Sequence, residues 1–218
     1  MAPKYPAPRH ARLVESFAGA AGYSLRYPEH KVELYDANPV ICGLWDYLIH
    51  ASERDILDLP VNIDSVEDAQ VCQEAKWLIG FWFNVCASSP CKTRTKWASA
   101  SGAGWGEKIR ARVASQLSAI RHWKVEQCSY TDIETDEDGS WFVDPPYVVS
   151  GRYYIFNGSQ IDYEHLGQWC RQLPGQVIVC EQEGAAWLPF DPLGTFPGQR
   201  KPSIEVIWTN DIPSSMVM

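Results

Sequence analysis

Apolar residues in this chain switch spacing repeatedly, and that switching limits the fold more than any other feature. Residues 12–17 read as a short strand that runs into a glycine turn, and residues 31–35 alternate with a period of two and end at Asp36. A helix of small residues is expected where the first strand runs into Gly19 and Gly22. Asn38 and Pro39 then open another helix: Asn accepts from free N–H groups, and Pro carries the torsion of a first helical position. Its apolar side is Ile41, Leu44, Trp45 and Leu48. A helix is expected over about 65–86, a loop over 88–106 and a basic helix over 107–120. Beyond these the period returns to two at 123–127, 140–143, 176–180 and 204–208, with one helix at 163–173 ended by Pro174 and Gly175. Strands interleaved with helices specify an α/β fold with a largely parallel sheet.

No apolar run approaches the roughly 18 residues of a membrane span. The first ten residues lack the apolar stretch of a secretion signal, so the expected location is cytoplasmic, with no membrane partner. The seven cysteines are odd in number and form no Cys-x-x-Cys pair, and no histidine lies near Cys86 or Cys91. They read as thiols of a reducing compartment, with neither a metal site nor a disulfide framework.

Charge is unevenly spread. Between Lys92 and Lys124 there are eight basic residues and one acid, Glu107, so this stretch is +7 while the chain as a whole is −8. Lys92, Arg94, Lys96, Lys108, Arg110 and Arg112 are therefore candidate phosphate contacts, with a solvated helix face as the plain alternative. Trp77, Phe81, Trp82, Phe83, Trp97 and Trp105 flank or interrupt the stretch. Such rings stack on bases, although the first four read mainly as core.

Three features fall where an open α/β sheet binds ligands, at the carboxyl ends of strands. The first is the turn from Phe17 through Ala18, Gly19 and Ala20, where glycine lets backbone approach a ligand. The second is Asp36, whose carboxylate at a strand end suits the two hydroxyls of a ribose. The third is the run from Trp141 to Tyr147, in which Asp144, Pro145, Pro146 and Tyr147 close a strand. Neither proline has an N–H, so the carbonyls there are rigid acceptors. Asp144 and the Pro145 carbonyl can both accept from one amino group, and Tyr147 can stack on the base that carries it.

With these motifs the chain resembles the S-adenosylmethionine-dependent DNA adenine methyltransferases of the Dam type, in particular small phage-like members. The resemblance runs over about residues 4–208 and includes the stretches around Tyr5–Arg9 and from Val179 to Phe190. It implies a Rossmann-like class I methyltransferase fold, α/β, with helices on both faces of the sheet and a small basic insertion. The catalytic domain would comprise 1–86 and 122–218, and the DNA-recognition insertion 87–121. By the same resemblance, Phe17, Ala18, Gly19 and Ala20 would line the methionine part of the cofactor, and Asp36 would hold its ribose. Ser129 and Tyr130 would meet its adenine. Asp144, Pro145, Pro146 and Tyr147 would receive a flipped adenine, which Asp-Pro-Pro-Tyr favours over cytosine.

The sequence departs from the family pattern in three ways. Ala21 stands where relatives have a second glycine, Ser129 where many have an acid, and an upstream aromatic-x-Gly-Gly-Lys element is not present. The alternatives are methylation of adenine in RNA or of cytosine amino groups, and a degenerate methyltransferase that only binds DNA.

Overall fold

The computed structural model describes residues 5–84, 89–96, 104–148, 158–196 and 203–210. The chain divides into two compact units, Met1–Ala37 with Glu126–Met218 and Asn38–Val125. The expected insertion, 87–121, falls inside the second unit together with 38–86.

Seven strands form one sheet: β1 (Arg12–Glu15), β2 (Lys31–Asp36), β3 (Lys124–Gln127), β4 (Gly139–Val143), β5 (Gly175–Gln182), β6 (Asp191–Phe196) and β7 (Ser203–Thr209). Their order is β3-β2-β1-β4-β5-β7-β6. β1 runs parallel to β2 and β4, and β4 parallel to β5, while β7 is antiparallel to both β5 and β6. The sheet is therefore mixed: parallel through β2-β1-β4-β5, with β7 reversed. Helices are α1 (Pro39–His50), α2 (Glu53–Leu57), α3 (Gln73–Phe83) and α4 (Glu107–Gln116) in the second unit, and α5 (Tyr163–Gln172) in the first.

The central strands are apolar on both sides, as parallel strands covered on both faces must be. Trp141, Val143, Val177, Val179 and Val14 pack with Leu166 and Cys170 of α5 in one core. Phe142 points the other way, as strand alternation requires. It stacks on Tyr23 with ring centres 4.3 Å apart and meets the edge of Tyr5 at 5.2 Å. Within this unit, then, a helix covers one face of β4 and an aromatic cluster covers the other. β4 and β5 begin at paired glycines, Gly139 opposite Gly175. Gly175 has φ +85°, and a Cβ there would stand 2.3 Å from the Gly139 carbonyl oxygen, so no side chain fits.

The expected helix after Gly22 is absent; only a short 3-10 turn, Ser24–Arg26, follows β1. Gly19 at φ +44° and Ala21 at φ +47° are left-handed and interrupt a right-handed helix. Tyr23 turns inward onto Phe142, and Pro28 supplies no donor. Ala21, an L residue in the left-handed region, carries backbone strain of about 1–2 kcal/mol.

In the second unit the Asn38 cap forms: its side chain accepts from Val40 N at 3.0 Å. The buried face of α1 is Cys42, Trp45, Leu48 and Ile49, so Ile41 and Leu44 sit at its margin. The single helix expected over 65–86 is instead a 3-10 turn, Val66–Asp68, followed by α3 from Gln73. Ser65 breaks it by capping the turn and bridging to Thr93. The described part of the expected 88–106 loop is woven into this unit, with Val66 N donating to Lys92 O at 2.9 Å and Arg94 N to Asp64 O at 2.8 Å. Cys91 is disulfide-bonded, which corrects the reading of every cysteine as a thiol. Cys42, Cys72, Cys128, Cys170 and Cys180 form no disulfide bond. No helix among the described residues is long and apolar enough to cross a membrane.

Candidate functional site

The sheet reverses its winding between β1 and β4, where neighbouring strands lead to connections running in opposite directions. In open α/β sheets ligands sit in the crevice at the carboxyl ends of such strands. Both expected halves of the site lie at these ends, all within the first unit.

After β1, Ala18 N donates to Tyr35 O at 2.9 Å, and Gly19 N donates to Asp36 Oδ2 at 3.0 Å. The turn 17–20 is thereby tied to the end of β2. A Cβ on Gly19 would meet nothing within 4 Å, so space is open beside this turn. Cys128 N donates to Asp36 O at 3.2 Å, bringing the segment after β3 to the same place. Phe17 and Tyr130 lie ring to ring at 5.7 Å. Phe17, Gly19, Asp36 and Tyr130 are therefore gathered as expected. This set fits a nucleoside: a half-buried carboxylate for hydroxyls, aromatic rings for a base, and a turn without a side chain. Ser129 is occupied locally. It caps the turn Tyr130–Asp132, and its N–H donates to the Asp132 carboxylate at 3.3 Å. Tyr130 is fixed by a 2.8 Å contact between its hydroxyl and His165 Nδ1, a partner on α5 that the sequence reading missed.

After β4 comes the acidic corner. Asp144 keeps a solvent-exposed face, yet protein surrounds it on its other sides. That burial, with the charges of Glu205 and Glu181 adding to it, pushes its carboxyl up to about 7, against a lowering hydrogen bond from the Tyr147 hydroxyl. The Tyr147 phenol is itself pushed well above its usual range, first by burial and then by Asp144. Tyr147 thus donates to the oxygen acceptor that the sequence reading reserved for an amine. Pro145 is buried, and no described residue donates to its carbonyl. The Pro146 carbonyl accepts from the Tyr163 hydroxyl. Glu181 Oε1 accepts from Val148 N at 2.9 Å. Glu205 is 3 % exposed, with one carboxylate oxygen bonded to Ser203 and the other without a partner among the described residues.

The basic residues split into two groups. Lys92, Lys96, Lys108 and Arg112 are exposed, and Arg112 lies 5.1 Å over the Trp82 ring. Arg94 and Arg110 are half-buried: Arg94 donates to Trp105 O, and Arg110 donates to Leu59 O at 2.7 Å. Trp105 is 2 % exposed and donates to Pro60 O, which makes it core rather than a stacking platform. Trp97 lies outside the described residues. A surface hollow of about 340 Å³, lined by Gly43, Asp46, Tyr47, His50, Ala51 and Glu74, belongs to the second unit and includes none of the expected site residues. Among the described residues no cluster of His, Cys, Asp and Glu could hold a metal ion.

The missed neighbours had weak sequence signals. Tyr163 read only as the first residue of a helix, and Glu181 as the end of a buried strand, because their bonds to Pro146 and Val148 span 17 and 33 residues.

No protein-family model matches the chain, and no curated protein matches it. A conserved hypothetical protein of Streptococcus pyogenes matches at 10% identity over 92% of this chain and 86% of its own, with a TM-score of 0.38. A likeness that slight carries no argument.

Proposed function

We propose that the protein transfers a methyl group from S-adenosylmethionine to the exocyclic amine of adenine in DNA, on a Rossmann-like class I methyltransferase fold. The observation that carries this reading is the convergence of two chemically distinct acceptor sets on one strand-end crevice. The strand order supports it: it is the doubly wound order 3-2-1-4-5-6 with one reversed strand set between the last two.

Phe17, Gly19, Asp36 and Tyr130 would hold the cofactor, which when bound supplies an electrophilic methyl group. The chain's own task is to prepare the amine. An adenine amino nitrogen is a poor nucleophile because its lone pair is shared with the ring. Hydrogen bonds from its two N–H groups to the Asp144 carboxylate and the Pro145 carbonyl would localise that pair on nitrogen; one proton is released once the methyl group has been transferred and the thioether has left. Preorganised acceptors of this kind need no rearrangement as charge develops. The Tyr147 hydroxyl must leave Asp144 for the amine to take its place, freeing the ring to stack on the base. Flipping the base out of the duplex costs about a few kcal/mol, and stacking on Tyr147 returns about 1–3 kcal/mol. The exposed cations Lys92, Lys96, Lys108 and Arg112 would contact phosphates.

The test is incubation with tritiated S-adenosylmethionine and unmethylated DNA, followed by identification of the labelled base. Label in N6-methyladenine is expected. Asp144→Ala should reduce incorporation by at least about 10²-fold while leaving the circular dichroism spectrum unchanged. Label that appears at full rate in Asp144→Ala, or only in cytosine, removes the assignment.

A further inference from the structure

We propose that Tyr163 and Glu181 are positioning residues that clamp the backbone on either side of Tyr147 and so decide which proline carbonyl faces the amine. The clamp stands on contacts within the first unit; its effect on catalysis rests on the functional reading above.

Two successive prolines leave the corner with no N–H of its own between Asp144 and Tyr147. Its backbone is therefore held from outside. Tyr163, the first residue of α5, donates its hydroxyl to Pro146 O. The start of α5 is itself fixed, because Asp162 accepts from His165 N at 3.0 Å. On the other side of Tyr147, Val148 N donates to Glu181 Oε1 at 2.9 Å, and Glu181 Oε2 accepts from Gln182 N at 2.6 Å. Glu181 is 1 % exposed and sits in β5, where its register with Val206 of β7 locks it. Both of its oxygens are thus given to backbone N–H groups. A buried carboxylate is costly unless so bonded, and charge-assisted bonds of this kind are the strong ones.

The two contacts have one joint consequence. With the Pro146 carbonyl taken by Tyr163, the Pro145 carbonyl is left without a donor among the described residues, beside Asp144. Without the Tyr163 hydroxyl the corner has two competing acceptors. Without Glu181 the residue after Tyr147 loses its anchor, and the ring loses its fixed starting position.

The test uses the full chain as wild type, Glu181→Ala, Glu181→Gln and Tyr163→Phe. Amide hydrogen exchange at Val148 reads the clamp directly, and kcat with KM for S-adenosylmethionine reads its use. Glu181→Ala is expected to speed Val148 exchange and to lower kcat, each by about tenfold, the worth of one such bond. KM for the cofactor stays within about twofold, because only the transition-state geometry is disturbed. Glu181→Gln retains one oxygen acceptor, which can serve Val148 N but leaves its NH2 group against Gln182 N, so both readings recover in part, to between Glu181→Ala and wild type. Tyr163→Phe lowers kcat while leaving Val148 exchange unaltered.

Unchanged Val148 exchange in Glu181→Ala overturns the clamp. So does a Glu181→Gln variant as impaired as Glu181→Ala, or a cofactor KM that rises in step with the loss of kcat. If Glu181→Ala does not fold, Glu181→Gln and the nearly isosteric Tyr163→Phe carry the comparison. A wild-type protein that labels no DNA defeats the functional reading, and Val148 exchange still decides the clamp.

Discussion

In the first unit, loop N–H groups are taken by carboxylates: Gly19 by Asp36, Ser24 by Glu15 and Val148 by Glu181. In the second, backbone carbonyls of loops and of the end of α1 are taken by guanidiniums: Trp105 by Arg94, Leu59 by Arg110, and Ile49 and Ala51 by Arg121. The two units lean on the same device with opposite charge, each with an exception: Arg12 donates to Glu137 O in the first, and Ser52 N donates to the Asp55 carboxylate in the second. The difference teaches that a count of acids and bases says little about surface potential until each group's partner is known. It also divides the molecule by its response to pH, since a carboxylate titrates in the working range and a guanidinium does not.

The largest effect that would break this contrast is expected at Arg121, which serves two carbonyls. Arg121→Ala should cost about 1.5–3 kcal/mol, the range for bonds to a charged group. The loss in Tm should be the same at pH 5 and pH 8. Arg121→Lys should not restore it, because one ammonium does not span two carbonyls as the planar fork does. A Tm equal to wild type would mean the arginine is an ordinary surface charge.

A smaller effect belongs to Glu15, which is 2 % exposed and whose carboxyl burial pushes up to about 7. Its folded-state value stands above the ordinary carboxylate value, so the protonated form favours the fold. That stability is fully present below the unfolded value and is lost as pH rises through about 7. Glu15→Gln keeps an acceptor for Ser24 without the charge. Its Tm minus that of wild type should grow from pH 5 to pH 8, and a flat difference would erase the pH asymmetry between the units.

The smallest effects sharpen the division within the basic segment. Replacing Lys92, Lys96 or Lys108 by Ala should each reduce the salt dependence of DNA affinity by about 0.9 in log–log slope. Replacing Arg94, whose charge serves Trp105, should leave that slope unchanged. Titrations at several salt concentrations distinguish the two groups, and equal slopes for Arg94 and Lys96 variants would dissolve the distinction.

These groups mark the boundary of what sequence alone conveys. Local chemistry was legible: the Asn38 cap, the strand that stops at Asp144, and the end of α5 at Pro174 and Gly175 all rest on neighbours a few residues apart. The turn at 17–20 and Asp36 were legible as well, because the carboxyl end of a strand is a place that order along the chain identifies. The helix expected after Gly22 failed because a second left-handed residue, Ala21, has no distinguishing composition. β6 passed unread since Pro192 and Gly194 obscure its pattern, and only its pairing with β7, with a register shift at those residues, makes it a strand. α2 has a full capping box between Ser52 and Asp55, a local signal present but overlooked. The arginines misled for a different reason. Their charge was plain, but Arg121 finds its carbonyls 70 and 72 residues away, and no spacing rule reaches that far.

The glycine that faces Gly139 at the start of β5 has a consequence at the far end of the sheet. Contact there is so close that the two strands meet backbone to backbone, which pins their alignment at one end. Five residues onward, a distance of about 16 Å along a strand, that alignment sets Asp144 level with Cys180 and puts Glu181 within reach of Val148. A methyl group at position 175 would wedge the strands apart at their origin, and the displacement would be delivered, undiminished by any intervening loop, to the residues that hold the corner from Asp144 to Val148.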